Sequence, residues 1–151
     1  MPQEQPIHAN DGITAWKRAI SGILTTGYLI SDRLNEILKP FGISEQQLNV
    51  LVILKRQPGK TCNLCEVQVK MMHKMSNATR LVEKLRLKGL VTRETDEENR
   101  RKVDITITSK GLAFLEKVEK KLHDCHHPFF ESRLCEEEYN RLADLLDKFR
   151  Q

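Results

Sequence analysis

The chain has 151 residues, 39% of them hydrophobic and 30% charged, with a net charge of +4. That length is one domain's worth with room for a real core, and no run approaches the roughly 18 apolar residues that a membrane span needs. The opening MPQEQPIHAND lacks the basic region and apolar stretch of a secretory leader, so a cytoplasmic location is the expectation.

The first ten or so residues are polar, contain Pro2 and Pro6, and read as a loose arm. Trp16, Ile20, Ile23, Gly27, Ile30, Leu34 and Ile37 then recur at alternating spacings of four and three, with Ile13 extending the pattern backwards. That is one stripe on a helix of about six turns, ending before Pro40. A helix this long exceeds what a small core uses, so part of its face is expected to meet a partner chain. Phe41-Gly42-Ile43 forms a turn, and Ser44 with Gln47 reads as a capping box. The next helix carries Leu48, Val50, Leu51, Val52, Ile53 and Leu54, apolar on most sides and hence buried, until Gln57-Pro58-Gly59 stops it.

A short third helix is predicted from about Asn63 to Met72, with Leu64, Val67 and Met71 on one face, and His73-Lys74-Met75 is a tight connection. Ser76 caps a fourth helix through Lys88, and Gly89 supplies its stop. Leu81, Val82 and Leu85 form its apolar stripe and leave Asn77, Thr79, Arg80, Lys84 and Lys88 mainly outside it. Leu90 to Thr95 reads as a strand, and Val103, Ile105 and Ile107 alternate with polar residues in a second. Between them lies a charged tip, Asp96-Glu97-Glu98-Asn99-Arg100-Arg101. Ser109 and Gly111 open a fifth helix with Leu112, Leu115, Val118 and Leu122 on one face, ending near His127-Pro128. Tyr139, Leu142, Leu146 and Phe149 mark a last helix.

The order is four helices, a β-hairpin, then two helices: a mainly α chain with a small β-hairpin. Two short helices joined by a tight turn, the second basic and outward-facing, fit a helix-turn-helix. The basic surplus is local, because residues 70–102 carry ten Lys or Arg against five acids, leaving about −1 for the rest of the chain. A phosphate-facing surface requires such a concentration, although a solvated lysine-rich face would also produce it. The second helix suits the major groove of DNA, which admits one α-helix. Ser76, Asn77, Thr79 and Arg80 lie at its N-terminal end, where side chains reach base edges and backbone N–H groups face phosphate. The hairpin's Arg100-Arg101-Lys102 tip can reach a neighbouring narrow groove, which concentrates negative potential. Helix, turn, helix and basic hairpin in this order make a winged helix.

The stretch SNATRLVEKLRLKGLVTRETDEENRRKVDITITSKG closely resembles the recognition helix, wing and following helix start of MarR-family transcriptional regulators. More weakly, the resemblance extends from about Thr14 to the C-terminus. It implies a single domain, residues 1–151, in which residues 44–108 form a winged helix-turn-helix DNA-binding lobe. Residues 11–40 and 109–151 then form a helical dimerisation region. It further implies a homodimer on a pseudo-palindromic operator in double-stranded DNA, acting as a repressor or activator relieved by a small-molecule effector or by oxidation. The DNA-binding set so implied is Lys74, Ser76, Asn77, Thr79, Arg80, Lys84, Arg100, Arg101 and Lys102; the dimerisation set is Trp16, Ile20, Leu142, Leu146 and Phe149. Asn99 departs from the family, which has Asp before the wing's Arg pair, so the wing tip lacks that charge. By position Arg101 is the structural member of the pair and Arg100 the groove contact.

Cys62 and Cys65 form a CxxC, and Cys125, His126, His127 and Cys135 cluster before the last helix. Three readings stand: reduced thiols, with Cys135 where a Ser or Thr cap could sit; a redox switch at Cys62 and Cys65, their thiolates favoured by a helix N-terminus; or zinc held by both groups. The second group lacks the usual close ligand spacing. The peroxide-sensing branch of the family carries its reactive cysteine in the first helix, and here that helix has none. No metal or cofactor is expected. Trp16, Tyr28 and Phe41 could line an effector pocket or serve as core and interface. The sequence has no phosphate loop, no zinc-protease helix and no nucleophile elbow, so an enzyme is not expected. The remaining alternative is a winged-helix module for protein–protein contact without DNA.

Overall fold

The computed structural model describes residues 14–72, 76–95 and 103–150. Helix α1 spans Ala15–Leu38 and continues into a single 3-10 turn, Lys39–Phe41. Helix α2 spans Glu45–Arg56, and its predicted capping box is complete: Ser44 Oγ accepts from Gln47 N at 3.3 Å and Gln47 Oε1 accepts from Ser44 N at 3.0 Å. Two free backbone donors are thereby satisfied where the chain turns into the core.

After the turn at Pro58–Lys60 comes a strand absent from the sequence reading, β1, Thr61–Asn63. It pairs antiparallel with β3, Val103–Ile107, which also pairs with β2, Val91–Thr95, so the predicted hairpin is two strands of a three-stranded sheet ordered β1-β3-β2. The added pairing sets Cys62 opposite Ile105, both buried, and links Thr61 Oγ1 to Thr106 Oγ1 at 2.7 Å. Helix α3, Leu64–Lys70, is shorter than expected at both ends: Asn63 belongs to the sheet and its Oδ1 caps the helix through Cys65 N at 2.8 Å, and the backbone turns extended at Met71.

Helix α4 is Ala78–Leu87. It ends as predicted at Gly89, which takes φ +71, a left-handed conformation that costs glycine nothing. Leu90 N reaches Leu85 O at 3.1 Å and Gly89 N reaches Arg86 O at 2.8 Å, the paired bonds of a Schellman ending. Helix α5, Ser109–Glu131, runs past the expected stop at Pro128. Proline removes one backbone donor, yet the last turn is held from outside: Arg33 donates to Cys125 O at 3.0 Å and its guanidinium lies 4.0 Å from the Phe129 ring centre. Helix α6 is Glu136–Asp147, with Glu138 accepting from Cys135 N at 2.9 Å.

One hydrophobic core joins α2, α3, α4 and the sheet, and it takes in Leu38 from α1 and Leu115 and Val118 from α5. The rest of α1 is a different matter. Leu38 is its single buried residue, and α6 has none. No helix among the described residues is long and apolar enough to cross a membrane.

Candidate nucleic-acid interface

The recognition helix of the sequence reading is α4, and the core decides which of its faces is free. Ala78, Val82 and Leu85 are buried and Leu81 packs against the core. The 3.6-residue period then turns Thr79, Arg80 and Lys84 outward. The helix start is defined by Asn77, whose Oδ1 accepts from Arg80 N at 3.0 Å. Ser76, expected to be the cap, instead uses its carbonyl to accept from Gln68 Nε2 at 2.8 Å. Asn and Ser cap about equally well, so the outcome turns on the backbone around them. Asn49 of α2 satisfies the other side of the turn, accepting from Met72 N at 3.1 Å.

Asn77, Thr79, Arg80, Glu83, Lys84 and Arg93 line one open groove along α4. The structure therefore brings together four of the predicted residues, Asn77, Thr79, Arg80 and Lys84. Ser76 is half-buried just before them. Lys74, Arg100, Arg101, Lys102 and the departure at Asn99 lie outside the described residues.

Two groove residues were absent from the predicted set. Arg93 projects from β2, opposite Ile105 of β3; its place beside α4 depends on strand register, which its neighbours in sequence do not reveal. Glu83 is an acid in a basic groove, but Arg86 donates to it twice, Nε at 2.9 Å and Nη2 at 2.8 Å. Those hydrogen bonds, with smaller help from the Arg86 and Arg93 charges, hold the Glu83 carboxyl below its ordinary range. The Glu83–Arg86 pair is thus locally neutral, and Arg80, Lys84 and Arg93 leave the groove positive. Exposed cations along the outward face of a helix, joined by one from the neighbouring strand, form a layout that phosphate and base edges both recognise.

The predicted dimerisation residues lie on α1 and α6, except Phe149, which follows the end of α6. Trp16 is 63% exposed, Phe149 66% and Leu142 42%, while Ile20 is at the edge of exposure and Leu146 half-buried. The three aromatic residues offered as a pocket do not converge: Trp16 and Tyr28 are separated by about 18 Å along one helix, and Phe41 packs edge-on against Phe114 at 5.9 Å.

All four cysteines are free. Cys62 sits in β1 rather than at a helix N-terminus. Burial first, and a 3.4 Å hydrogen bond to Glu66 second, push its thiol up from the ordinary value. Cys62 therefore lacks the helix-start position that the redox reading gave it, and its shift is opposite in direction to that of an activated thiolate. Cys65 is exposed in the first turn of α3. Among the described residues no three His, Cys, Asp or Glu come together in a group that could hold a metal ion, so the two clusters of the zinc reading do not meet.

The MarR family profile matches residues 43–103. The transcriptional repressor MprA of Escherichia coli K12 is 29% identical over 114 residues, 76% of this chain and 64% of MprA, so the chain spans less than two thirds of that relative. The HTH-type transcriptional regulator BilQ of Clostridium symbiosum is 32% identical over 111 residues, 74% of this chain and 75% of BilQ. Sco3205, a MarR family transcriptional regulator from Streptomyces coelicolor solved in complex with DNA, superimposes with a TM-score of 0.76 at 20% identity, covering 93% of this chain and 90% of its own. The superposition shows the fold, and the BilQ match over three quarters of that protein together with the family profile shows the lineage: the chain belongs to the MarR family.

Proposed function

We propose that the chain is a homodimeric, sequence-specific DNA-binding transcriptional repressor in the cytoplasm, occupying a pseudo-palindromic operator and released by a small-molecule effector. The groove along α4 carries this reading: it is positive, open, and runs along a helix whose other face is fixed in the core. MprA is named a repressor and Sco3205 was solved with DNA, which supports the same assignment. In it, α4 enters the major groove, Asn77, Thr79 and Arg80 face base edges, and Lys84 and Arg93 face phosphates. Arg100, Arg101 and Lys102 serve the adjoining minor groove. An effector would act on the helices that join the two lobes of the dimer, changing the distance between the two α4 helices.

The test begins with selection of a duplex from a random-sequence pool, followed by affinity as a function of salt. Specific binding in the range of about 10⁻⁸ to 10⁻¹¹ M that weakens steeply with salt is expected. Arg80→Ala should cost about 1–3 kcal/mol and relax discrimination at one base position, whereas Arg93→Ala should weaken all sequences alike and lower the salt slope by about one. A wild-type protein that selects no duplex would be a protein–protein module instead, and the DNA reading would fall.

A further inference from the structure

We propose that Gln68, on α3 and outside the groove, is the positioning residue that sets the recognition helix for base reading. The inference rests on the DNA-binding reading and adds a residue that touches no nucleic acid.

The side-chain amide of Gln68 grips the chain on both sides of Asn77. Its Nε2 donates to Ser76 O at 2.8 Å, and its Oε1 accepts from Ala78 N at 3.0 Å. The two partners fix which way the amide points, because the flipped orientation would set oxygen against oxygen and N–H against N–H. Ala78 is the first residue of α4, and its N–H is one of the donors that a helix start leaves without an internal partner. Gln68 therefore caps α4 from a neighbouring helix, while Asn77 caps it from within through Arg80 N.

The grip has a rigid base. Val67, next to Gln68 in α3, and Met71, just past the end of that helix, are 0% and 3% exposed. A core position is thus transmitted through one amide to the residue pair at the mouth of the groove. Asn77 caps α4 and Thr79 and Arg80 stand in its first turn, within reach of that anchor, whereas Lys84 is a turn further on and Arg93 is on the sheet. Base contacts tolerate displacements of only about half an ångström; contacts between mobile cations and phosphates tolerate more. Loss of the Gln68 grip should therefore erode sequence discrimination before it erodes general affinity for DNA.

Two variants test this on the full-length protein. Gln68→Met keeps the length of the side chain and removes the hydrogen bonds to Ser76 O and Ala78 N. Gln68→Glu keeps the acceptor for Ala78 N but, when ionised, sets a carboxylate against Ser76 O; protonation restores the donor. The probes are the duplex selected by the wild-type protein and poly(dI-dC). For Gln68→Met we expect roughly tenfold weaker binding to the selected duplex, and binding to poly(dI-dC) within about twofold of wild type. For Gln68→Glu, affinity for the selected duplex relative to wild type at the same pH should rise as pH is lowered from about 6.5 to about 4, through the carboxyl's range. Equal losses on both probes, or wild-type binding by both variants, overturn the proposal. Should Gln68→Met fail to fold by circular dichroism, the Gln68→Glu profile decides: a rise supports the positioning role and a flat ratio overturns it. A wild-type protein that selects no duplex takes down the DNA-binding reading itself, which is a different failure.

Discussion

Gly111 shows what a single missing methyl group does in this fold. A Cβ placed there would lie 2.1 Å from Leu90 O and 2.8 Å from Ile107 Cγ1, so α5 starts with its backbone pressed against the end of β3 and the segment leading into β2. Thr108 secures the same corner, accepting from Gly111 N at 2.9 Å and donating to Gly89 O at 2.8 Å. Gly111→Ala must push backbone from backbone, since neither neighbour is the free end of a long side chain. The expected loss is about 1–3 kcal/mol of unfolding free energy, the usual range for overpacking a filled site. Urea denaturation with an unchanged slope measures it; a loss below about 0.5 kcal/mol, the scatter of ordinary surface changes, would mean that α5 backs away freely. The family-like stretch ending in Ser109-Lys110-Gly111 thus has a steric reason for its glycine beyond opening a helix.

Between elements, the contact of α1 with α5 carries a titratable group. His126 is half-buried, its Nε2 has no partner among the described residues, and its ring meets Phe130 edge-on at 5.5 Å. Burial first and the Arg33 charge second hold this imidazole below its ordinary range. The unfolded chain then takes up the proton more readily than the folded one, so the stability present above about pH 6.5 is lost as pH falls through that value. His126→Asn should therefore narrow the drop in melting temperature between pH 7.5 and pH 5.5; an equal drop in variant and wild type would place the acid sensitivity elsewhere.

The same elements show what the sequence could disclose. Ser44 with Gln47, and Gly89 after Leu85, were legible because a cap is written within five or six residues. Strand β1 was not, because Thr61-Cys62-Asn63 is strand only by pairing with residues more than forty positions away. Pro128 misled for a related reason: its local veto on helix is outweighed by Arg33 and Phe129, from two different elements. In the groove, Thr79, Arg80 and Lys84 of α4 were found by helical period, while Arg93 depended on register; outside it, Gln68 depended on which way α3 faces the next turn.

At the scale of the whole molecule, the chain divides its apolar surface unequally. The winged lobe fills its own core, whereas α1, α6 and the turn after α6 leave Trp16, Tyr28, Leu142 and Phe149 largely open. Burying each such side chain is worth about 1.5–3 kcal/mol, and a second copy with the same faces offers that cover in the proposed dimer. The arrangement would also fix the distance between two α4 helices, which operators read as half-sites about 34–36 Å apart. Leu142→Glu with Leu146→Glu puts two carboxylates on the α6 face without touching the core of the lobe, since α6 contributes no buried residue. The double variant should keep its helical circular dichroism, sediment as a 17.5 kDa monomer, and bind the selected duplex about a hundredfold more weakly through loss of the second contact. Unchanged sedimentation would remove α6 from the interface. A monomer that kept full affinity would instead show that one α4 and one wing suffice, and that the operator is not read in two halves.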